Sequence, residues 1–349
     1  MAVRARLLGQ SVVFDAAAQS VFELNATADI VWQGVVDGLT AHEMANAIEA
    51  LGADAGEARM HVATCLAAWA GQGLVRPAPR GDGALRNIDL AGQGIRIAAS
   101  SDLDRAVRHA TGHLPAAADT TAQVDAESSG DAVDLYVDGI WAMACAPVET
   151  PVALKGLLLS AVLDRADHAL VLHAATLVGD DGATLLLGPP GRGKTTLTLG
   201  MVRAGWRYGG DDVTLLLDDG RCRPIPLAPA VKEGAWGLVR DDWPEIDALG
   251  TWLRPDGQAV RYVPPGPLSG GPHGIARIVL LDRQTTGPAA LQPLDAAGAL
   301  QAILADAHLD GDALTPWAFR VLADVLNSAR VQRLTYAAVA DAMAALRSA

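Results

Sequence analysis

Short apolar runs open the chain. Ser11–Phe14 and Val21–Leu24, a few residues apart, predict a small hairpin. Asn25 then stands as an N-cap for a helix through Ile30, Val31, Trp32 and Val35 that stops near Gly38. Thr40-Ala-His-Glu43 is a capping-box pattern, and Met44, Ile48 and Leu51 fall on one face of the helix behind it. Met60, Val62, Leu66 and Trp69 predict a third helix over Ala55–Gly71, followed by a closing strand at Gly73-Leu74-Val75. Residues 1–76 therefore read as a winged-helix-like α+β module. Arg76-Pro-Ala-Pro-Arg-Gly-Asp-Gly83 has linker composition, so a linker is placed over 77–86 and a second domain over 87–349.

In that second domain, Ile88–Leu90 and Gly94–Ala98 predict strands, and Asp134–Cys145 a strand–turn–strand around Asp138-Gly139. Ala116–Asp131, polar and poor in large apolar residues, reads as a loop, and Val152–Arg165 as a helix. Ala169–Ala174 and Ala183–Leu187 are apolar runs around the turn Gly179-Asp-Asp-Gly182; Leu197–Ala204 is a helix and Val213–Leu217 a strand. Strand, glycine-rich turn, helix and strand make an α/β nucleotide-binding unit. Beyond it, Ile278–Leu281 and Gln332–Tyr336 alternate with helical stretches at Gly298–Ala307, Trp317–Leu326 and Tyr336–Leu346, with no internal repeat.

Composition narrows the class. With 50% hydrophobic and 19% charged residues, 349 residues can bury a substantial core. No apolar run reaches the roughly eighteen residues of a transmembrane helix. The start, MAVRARLLGQSVVFD, is broken by Gly9, Gln10 and Ser11 and lacks a signal-peptide core, so a cytoplasmic location is expected. Cys65, Cys145 and Cys222 are too scattered for a disulfide framework or a structural zinc. A net charge of −13 argues against a nucleic-acid partner, and no membrane partner is expected. Lysine is scarce: only Lys155, Lys194 and Lys232 occur.

Gly188-Pro-Pro-Gly-Arg-Gly193-Lys194-Thr195 fits the P-loop pattern at every fixed position, between an apolar strand and a helix. Its glycines, Gly188, Gly191 and Gly193, let backbone N–H groups turn around a phosphate, with Arg192 and Thr196 beside them. Lys194 would reach the β- and γ-phosphates of ATP, and Thr195 would place its hydroxyl on Mg²⁺. Gly209-Gly210-Asp211-Asp212-Val213 follows the helix, and two adjacent acids entering a buried strand are costly unless used. One would hold the metal and the other accept a proton from an attacking hydroxyl. His173 sits among apolar residues on the strand before the P-loop strand; it reads either as a buried core histidine or as a group whose strand end faces the phosphates. Trp236, Trp243 and Trp252 read as core residues.

The stretch LHAATLVGDDGATLLLGPPGRGKTTLTLGMVRAGWRYGGDDVTLLL, from Leu172 to Leu217, resembles the kinase core of the HPr kinase/phosphorylase family and its relatives among the kinases of ribosomal-peptide clusters, such as lasso-peptide kinases. The resemblance implies an HPr kinase/PEP carboxykinase-like P-loop fold using ATP and Mg²⁺ and self-associating as a homo-oligomer. It implies Asp211 as the acid–base residue, Asp212 on the magnesium side with Thr195, and His173 as a supporting or phosphate-facing group. Pro224-Ile-Pro-Leu227 with Val231-Lys232-Glu233-Gly234 resembles the family's next segment, where Lys232 would contact a phosphate; a surface lysine is the other reading. Val260-Arg-Tyr-Val263 resembles a further stretch, with no role carried over. Thr196 stands where the bifunctional HPr enzymes carry an acid, which puts phosphorolysis and HPr itself in question.

The N-terminal pattern, with Leu24-Asn-Ala-Thr-Ala-Asp-Ile-Val-Trp32 after the hairpin, resembles the PqqD family, whose members hold the leaders of ribosomally made peptides. The physics would be β-augmentation: a leader adds a strand to the edge Val21, Phe22, Glu23 and Leu24, and its side chains fill a groove lined by Met60, Cys65 and Trp69. A winged-helix DNA binder is the competitor, but residues 1–76 hold four basic and eight acidic side chains. Together the resemblances imply an ATP-dependent kinase acting on a serine or threonine hydroxyl of a precursor peptide, alongside other enzymes of its biosynthetic cluster. A small-molecule kinase (free serine, for example) and a nucleotide-gated module that presents peptides without transfer stand as alternatives.

Overall fold

The computed structural model describes residues 2–16, 19–72, 74–75, 83, 85–305, 307–308 and 314–348. The chain divides into two units. Met1–Ile88, Gly94–Val107 and Ala117–Leu158 form the first; Asp89–Gln93, Arg108–Ala116 and Leu159–Ala349 form the second. Among the described residues no helix is long and apolar enough to cross a membrane.

The first unit opens with β1 (Ala2–Leu7), β2 (Gln10–Asp15) and β3 (Ser20–Leu24), then α1 (Ala26–Asp37), α2 (Ala41–Glu49) and α3 (Ala55–Gly71). The expected hairpin is thus the far side of a three-stranded antiparallel sheet in the order β1-β2-β3. Sequence reading passes over β1 because it is exposed and carries Arg4 and Arg6, opposite Val13 and Ser11, rather than an apolar run; Arg4 pairs with Asp29 at 2.6 Å. All three helices start on side-chain caps, Asn25, Thr40 with Glu43, and Asp54, each accepting from backbone N–H groups of its first turn. Of the expected closing strand, Gly73 lies outside the described residues, and Leu74 and Val75 are irregular. Of the expected linker, 77–82 and 84 lie outside the described residues, and Leu85 already begins a strand.

The chain continues with β4 (Leu85–Leu90), β5 (Gln93–Ala99), α4 (Asp104–Thr111), β6 (Ala122–Ser129), β7 (Ala132–Val137), β8 (Ile140–Cys145) and α5 (Thr150–Leu163), the division between units falling within β4, β5, α4 and α5. The strands form one sheet in chain order. β6 replaces the loop expected over Ala116–Asp131: its AQVDAESS sequence hides a largely buried strand. Asp125 accepts from Gln123 at 2.9 Å, and buried Asp134 on β7 accepts from the Trp141 indole at 2.7 Å. Trp32 and Trp69 share an apolar cluster with Tyr136 and Trp141, so the N-terminal helices and this sheet have one core.

The second unit runs β9 (Leu170–Leu172), β10 (Ala175–Gly179), β11 (Gly182–Leu187), α6 (Lys194–Arg203), β12 (Arg207–Gly210), β13 (Thr214–Leu216), β14 (Cys222–Pro224), β15 (Ala230–Lys232), α7 (Trp236–Val239), β16 (Thr251–Leu253) and β17 (Ala259–Tyr262). It continues with β18 (Ile275–Arg283), β19 (Ala290–Pro293), α8 (Ala296–Ala305), β20 (Ala307–His308), α9 (Pro316–Ser328), β21 (Arg330–Tyr336) and α10 (Val339–Ser348). Its central sheet has the order β12-β10-β11-β18-β21-β19, with β11, β18 and β21 mutually parallel. Alternate residues of these strands feed two cores. Leu186, Val279 and Leu334 pack with α6 and α10, while Leu185, Leu187 and Ile278 pack with α8 and α9. Helices on both faces explain the nearly unbroken apolar runs at Leu185–Leu187 and Ile278–Leu281. Trp243 is buried in the first of these cores, with its indole N–H on Leu199 O at 3.2 Å; Trp236 and Trp252 are partly buried.

Candidate nucleotide site

Strand register gathers the site at one edge of this sheet. β11 ends at Leu187 and passes directly into Gly188–Gly193; Leu187 stands beside Leu280 of β18. Ala175, the first residue of β10, faces Leu186, so His173 just before it is carried to the same edge. Thr176 faces Gly210, the last residue of β12, so Asp211 and Asp212 emerge there too. Gly210 is required by a close approach: a Cβ would lie 2.6 Å from Ile225 O.

This arrangement corrects two expectations from the sequence. His173 is not on a strand beside the P-loop strand. It lies in the irregular link between β9, which belongs to a separate sheet ordered β14-β13-β9-β20, and β10, which pairs with β11. Asp211 and Asp212 likewise do not open the following strand; they occupy the bend between β12 and β13. The cause in each case is the chain's passage between the six-stranded and four-stranded sheets. Thr176 and Thr214 pin these neighbouring crossings with a hydroxyl–hydroxyl contact of 2.6 Å.

The loop itself is tightly held. Gly193, with φ +94°, precedes α6, and a Cβ there would meet the Tyr336 hydroxyl at 2.7 Å. That hydroxyl donates to Arg192 O. The Arg192 guanidinium donates to Arg283 O at 2.8 Å, so the loop is tied to the ends of both β18 and β21. The buried Lys194 ammonium donates to Gly188 O, folding back across the loop. Thr196 is buried on the first turn of α6.

The acids differ in surroundings. Asp211 is 8% exposed, and its Oδ2 accepts from the Thr195 hydroxyl at 3.0 Å. Its Oδ1 lies 3.3 Å from the Tyr208 hydroxyl, which donates to Leu227 O at 2.7 Å. Burial first, and then the Asp211 charge, push the Tyr208 phenol well above its ordinary value and keep it a neutral donor. Asp212 is exposed and pairs through Oδ1 with His173 Nδ1 at 3.1 Å. Lys232 ends β15, exposed, with no hydrogen bond or ion pair to the loop among the described residues. Nor do three His, Cys, Asp or Glu side chains converge on a metal-sized site. The oxygen pair Thr195 Oγ1 and Asp211 Oδ2 nevertheless suits a cation completed by phosphates and water, as Mg²⁺ usually is.

In the first unit, β3 is an edge strand: Val21 and Glu23 are exposed, Phe22 is half-buried and Leu24 is buried. Met60 is 66% exposed, while Cys65 is half-buried and its thiol pushed up by burial. Trp69 is only 7% exposed, turned into the core with its ring edge-on to Trp32 at 5.2 Å.

Sequence reading misses Tyr208 and Tyr336. Nothing local marks Tyr336, which reaches the loop only through the β11–β18–β21 pairing. Tyr208 stands three residues before Asp211, and its proximity to the Gly-Gly-Asp-Asp segment was the one available signal. No protein-family model matches the chain, and no curated protein matches it significantly.

Proposed function

We propose that this chain is an ATP- and Mg²⁺-dependent phosphotransferase of HPr-kinase-like type, acting on a serine or threonine hydroxyl of a ribosomally synthesised precursor peptide. The observation that carries the phosphotransfer reading is the 3.0 Å contact of Asp211 with Thr195 on the first turn after a complete P-loop, with a second acid adjacent. Bound Mg²⁺ supplies charge neutralisation for the triphosphate, and Thr195 with Asp211 would hold it. Backbone N–H groups of Gly188–Gly193 and the Lys194 ammonium orient the phosphates once Lys194 leaves Gly188 O. The contacts favour a division of labour opposite to the one implied by the resemblance: Asp211, buried against Thr195, serves the metal, and Asp212, exposed and oriented by His173, receives the acceptor proton. The acceptor oxygen then bonds to the γ-phosphorus as the bond to the β,γ-bridging oxygen breaks, releasing ADP.

The free edge of β3 supports the peptide half of the reading, since an extended leader could pair with it. Mass spectrometry of a candidate precursor incubated with the protein and Mg·ATP tests the whole reading. A gain of one phosphate, weakened when Val21 and Glu23 are changed to proline to block edge pairing, supports it. ATP turnover only with a free amino acid moves the acceptor to a small molecule. Tight ATP binding without turnover on any acceptor leaves a presenting module.

A further inference from the structure

Beside the P-loop, on the side away from the acids, lies a cleft of about 410 Å³. Gly188 and Arg192 form one wall, Leu280 and Asp282 of β18 and Arg333 of β21 another, and Ala302 of α8 faces them. Strand order gives this cleft a direction. The P-loop strand β11 sits between β10 and β18; His173, Asp211 and Asp212 emerge on the β10–β12 side, and the cleft opens on the β18–β21 side. A nucleotide whose terminal phosphate points to Thr195 and Asp211 must extend its other end away from them, across Gly188 and towards β18.

Resting on the phosphotransferase reading, we infer that this cleft is the nucleoside subsite, with Leu280 and Ala302 against the base, Arg333 over it, and the Asp282 carboxylate accepting from the ribose hydroxyls. The chemistry fits each part. The volume lies in the range of small-molecule clefts, and the lining sets Pro189, Leu280, Leu281 and Ala302 beside the charged groups of Arg192, Asp282 and Arg333. Asp282 is partly buried at the end of β18, where ligands of open α/β sheets collect beyond the strand carboxyl ends. A carboxylate in that place suits the only hydrogen-bond donors a ribose offers, and it repels a phosphate, which keeps the triphosphate over the P-loop. Arg192 lines the cleft with its guanidinium donating to Arg283 O at 2.8 Å, which fixes that wall against the end of β18.

The test is calorimetric titration of the full chain with Mg·ATP, Mg·2′,3′-dideoxy-ATP and Mg·tripolyphosphate, comparing wild type with Ala302→Trp and Asp282→Asn. Ala302→Trp fills the cleft and should weaken ATP at least about tenfold while leaving tripolyphosphate within about twofold. In Asp282→Asn the preference of wild type for ATP over the dideoxy analogue, about tenfold for hydrogen bonds to a charged group, should collapse. Wild-type affinity for ATP in both variants overturns the subsite and leaves the P-loop reading standing. Equal loss of ATP and tripolyphosphate in both variants also overturns it, because the cleft would then act only through the loop. Failure of wild type to bind either triphosphate removes the P-loop reading and the subsite together.

Discussion

Gly193→Ala is the sharpest probe of the loop, because the structure assigns its cost to two separable causes. A non-glycine residue held at the left-handed φ of +94° costs roughly 1–2 kcal/mol. The new Cβ would also stand 2.7 Å from the Tyr336 hydroxyl, and displacing a packed group costs a further ~1–3 kcal/mol. The hydroxyl cannot swing aside freely, since it donates to Arg192 O inside the same loop. If both costs fall on the binding-competent loop, Mg·ATP affinity drops between about thirtyfold and a few thousandfold, at about 1.4 kcal/mol per tenfold. Tyr336→Phe alone should cost only about 1 kcal/mol, the worth of one hydrogen bond. In the double variant the nearest atom to the Cβ becomes the ring carbon 3.9 Å away, so the clash disappears and only the backbone term remains. Calorimetry and thermal melting on the four proteins should therefore give a favourable coupling of about 1–3 kcal/mol. Additivity within about 0.5 kcal/mol, or wild-type ATP affinity in Gly193→Ala, would refute the reasoning.

Three further outcomes follow from the same contacts. Asp212→Asn should abolish phosphate transfer yet keep Mg²⁺-dependent ATP binding, whereas Asp211→Asn should weaken the Mg²⁺ dependence of binding itself; the reverse pattern in a titration with and without Mg²⁺ would restore the opposite roles. Burial holds the Asp134 carboxyl above its ordinary 3.8 against the opposing Trp141 hydrogen bond, with Glu127 directly across the strand pair and His42 N–H on its other oxygen. A raised folded value means that stability is greatest below 3.8 and is lost as pH rises through the folded value, so Asp134→Asn should flatten that part of the curve in denaturant melts followed by tryptophan fluorescence. Trp69→Ala should destabilise the first unit by about 3–5 kcal/mol in the same melts, while Met60→Ala, at an exposed position, should stay within about 0.5 kcal/mol.

What could be read in advance was what the chain encodes locally. The P-loop, the caps at Asn25 and Thr40, and the helices of the first seventy residues depend on neighbours a few positions apart, and each is found where its pattern lies. β6 was hidden because Asp125 and Glu127 look solvated, yet both are buried, Asp125 with the Gln123 amide as its donor. The place of His173 was hidden for another reason. Periodicity cannot tell that an apolar run is cut in two, with Leu170–Leu172 joining one sheet and Ala175–Gly179 another. Trp69 illustrates the same limit, since helical spacing assigns it a face and only packing against Trp32 decides that the face points inward.

The strand order turns these separate features into one electrostatic argument. On the proposed reading, Asp211 and Asp212 would face a triphosphate and set like charges together, and a carboxylate only 8% exposed would feel that repulsion in a poorly screening medium. Such a site would be tolerable only if a cation entered with the phosphates, and the Thr195–Asp211 oxygen pair would be its place. The glycines before the acids allow β12 to approach Ile225 closely enough to bring Asp211 against α6. On the far side of β11 the sheet ends instead in Leu280 and a cleft, with no second acid beside Asp282. The sheet therefore sorts its edge into an acidic half with Asp211 and Asp212 and a half where Leu280 and Ala302 lie among Arg192, Arg333 and Asp282, with the glycine-rich loop on the boundary. On the phosphotransferase reading, a molecule with a polyanionic end and an aromatic end would have one orientation that suits both halves, and that orientation would carry its terminal phosphate to Thr195, Asp211 and Asp212.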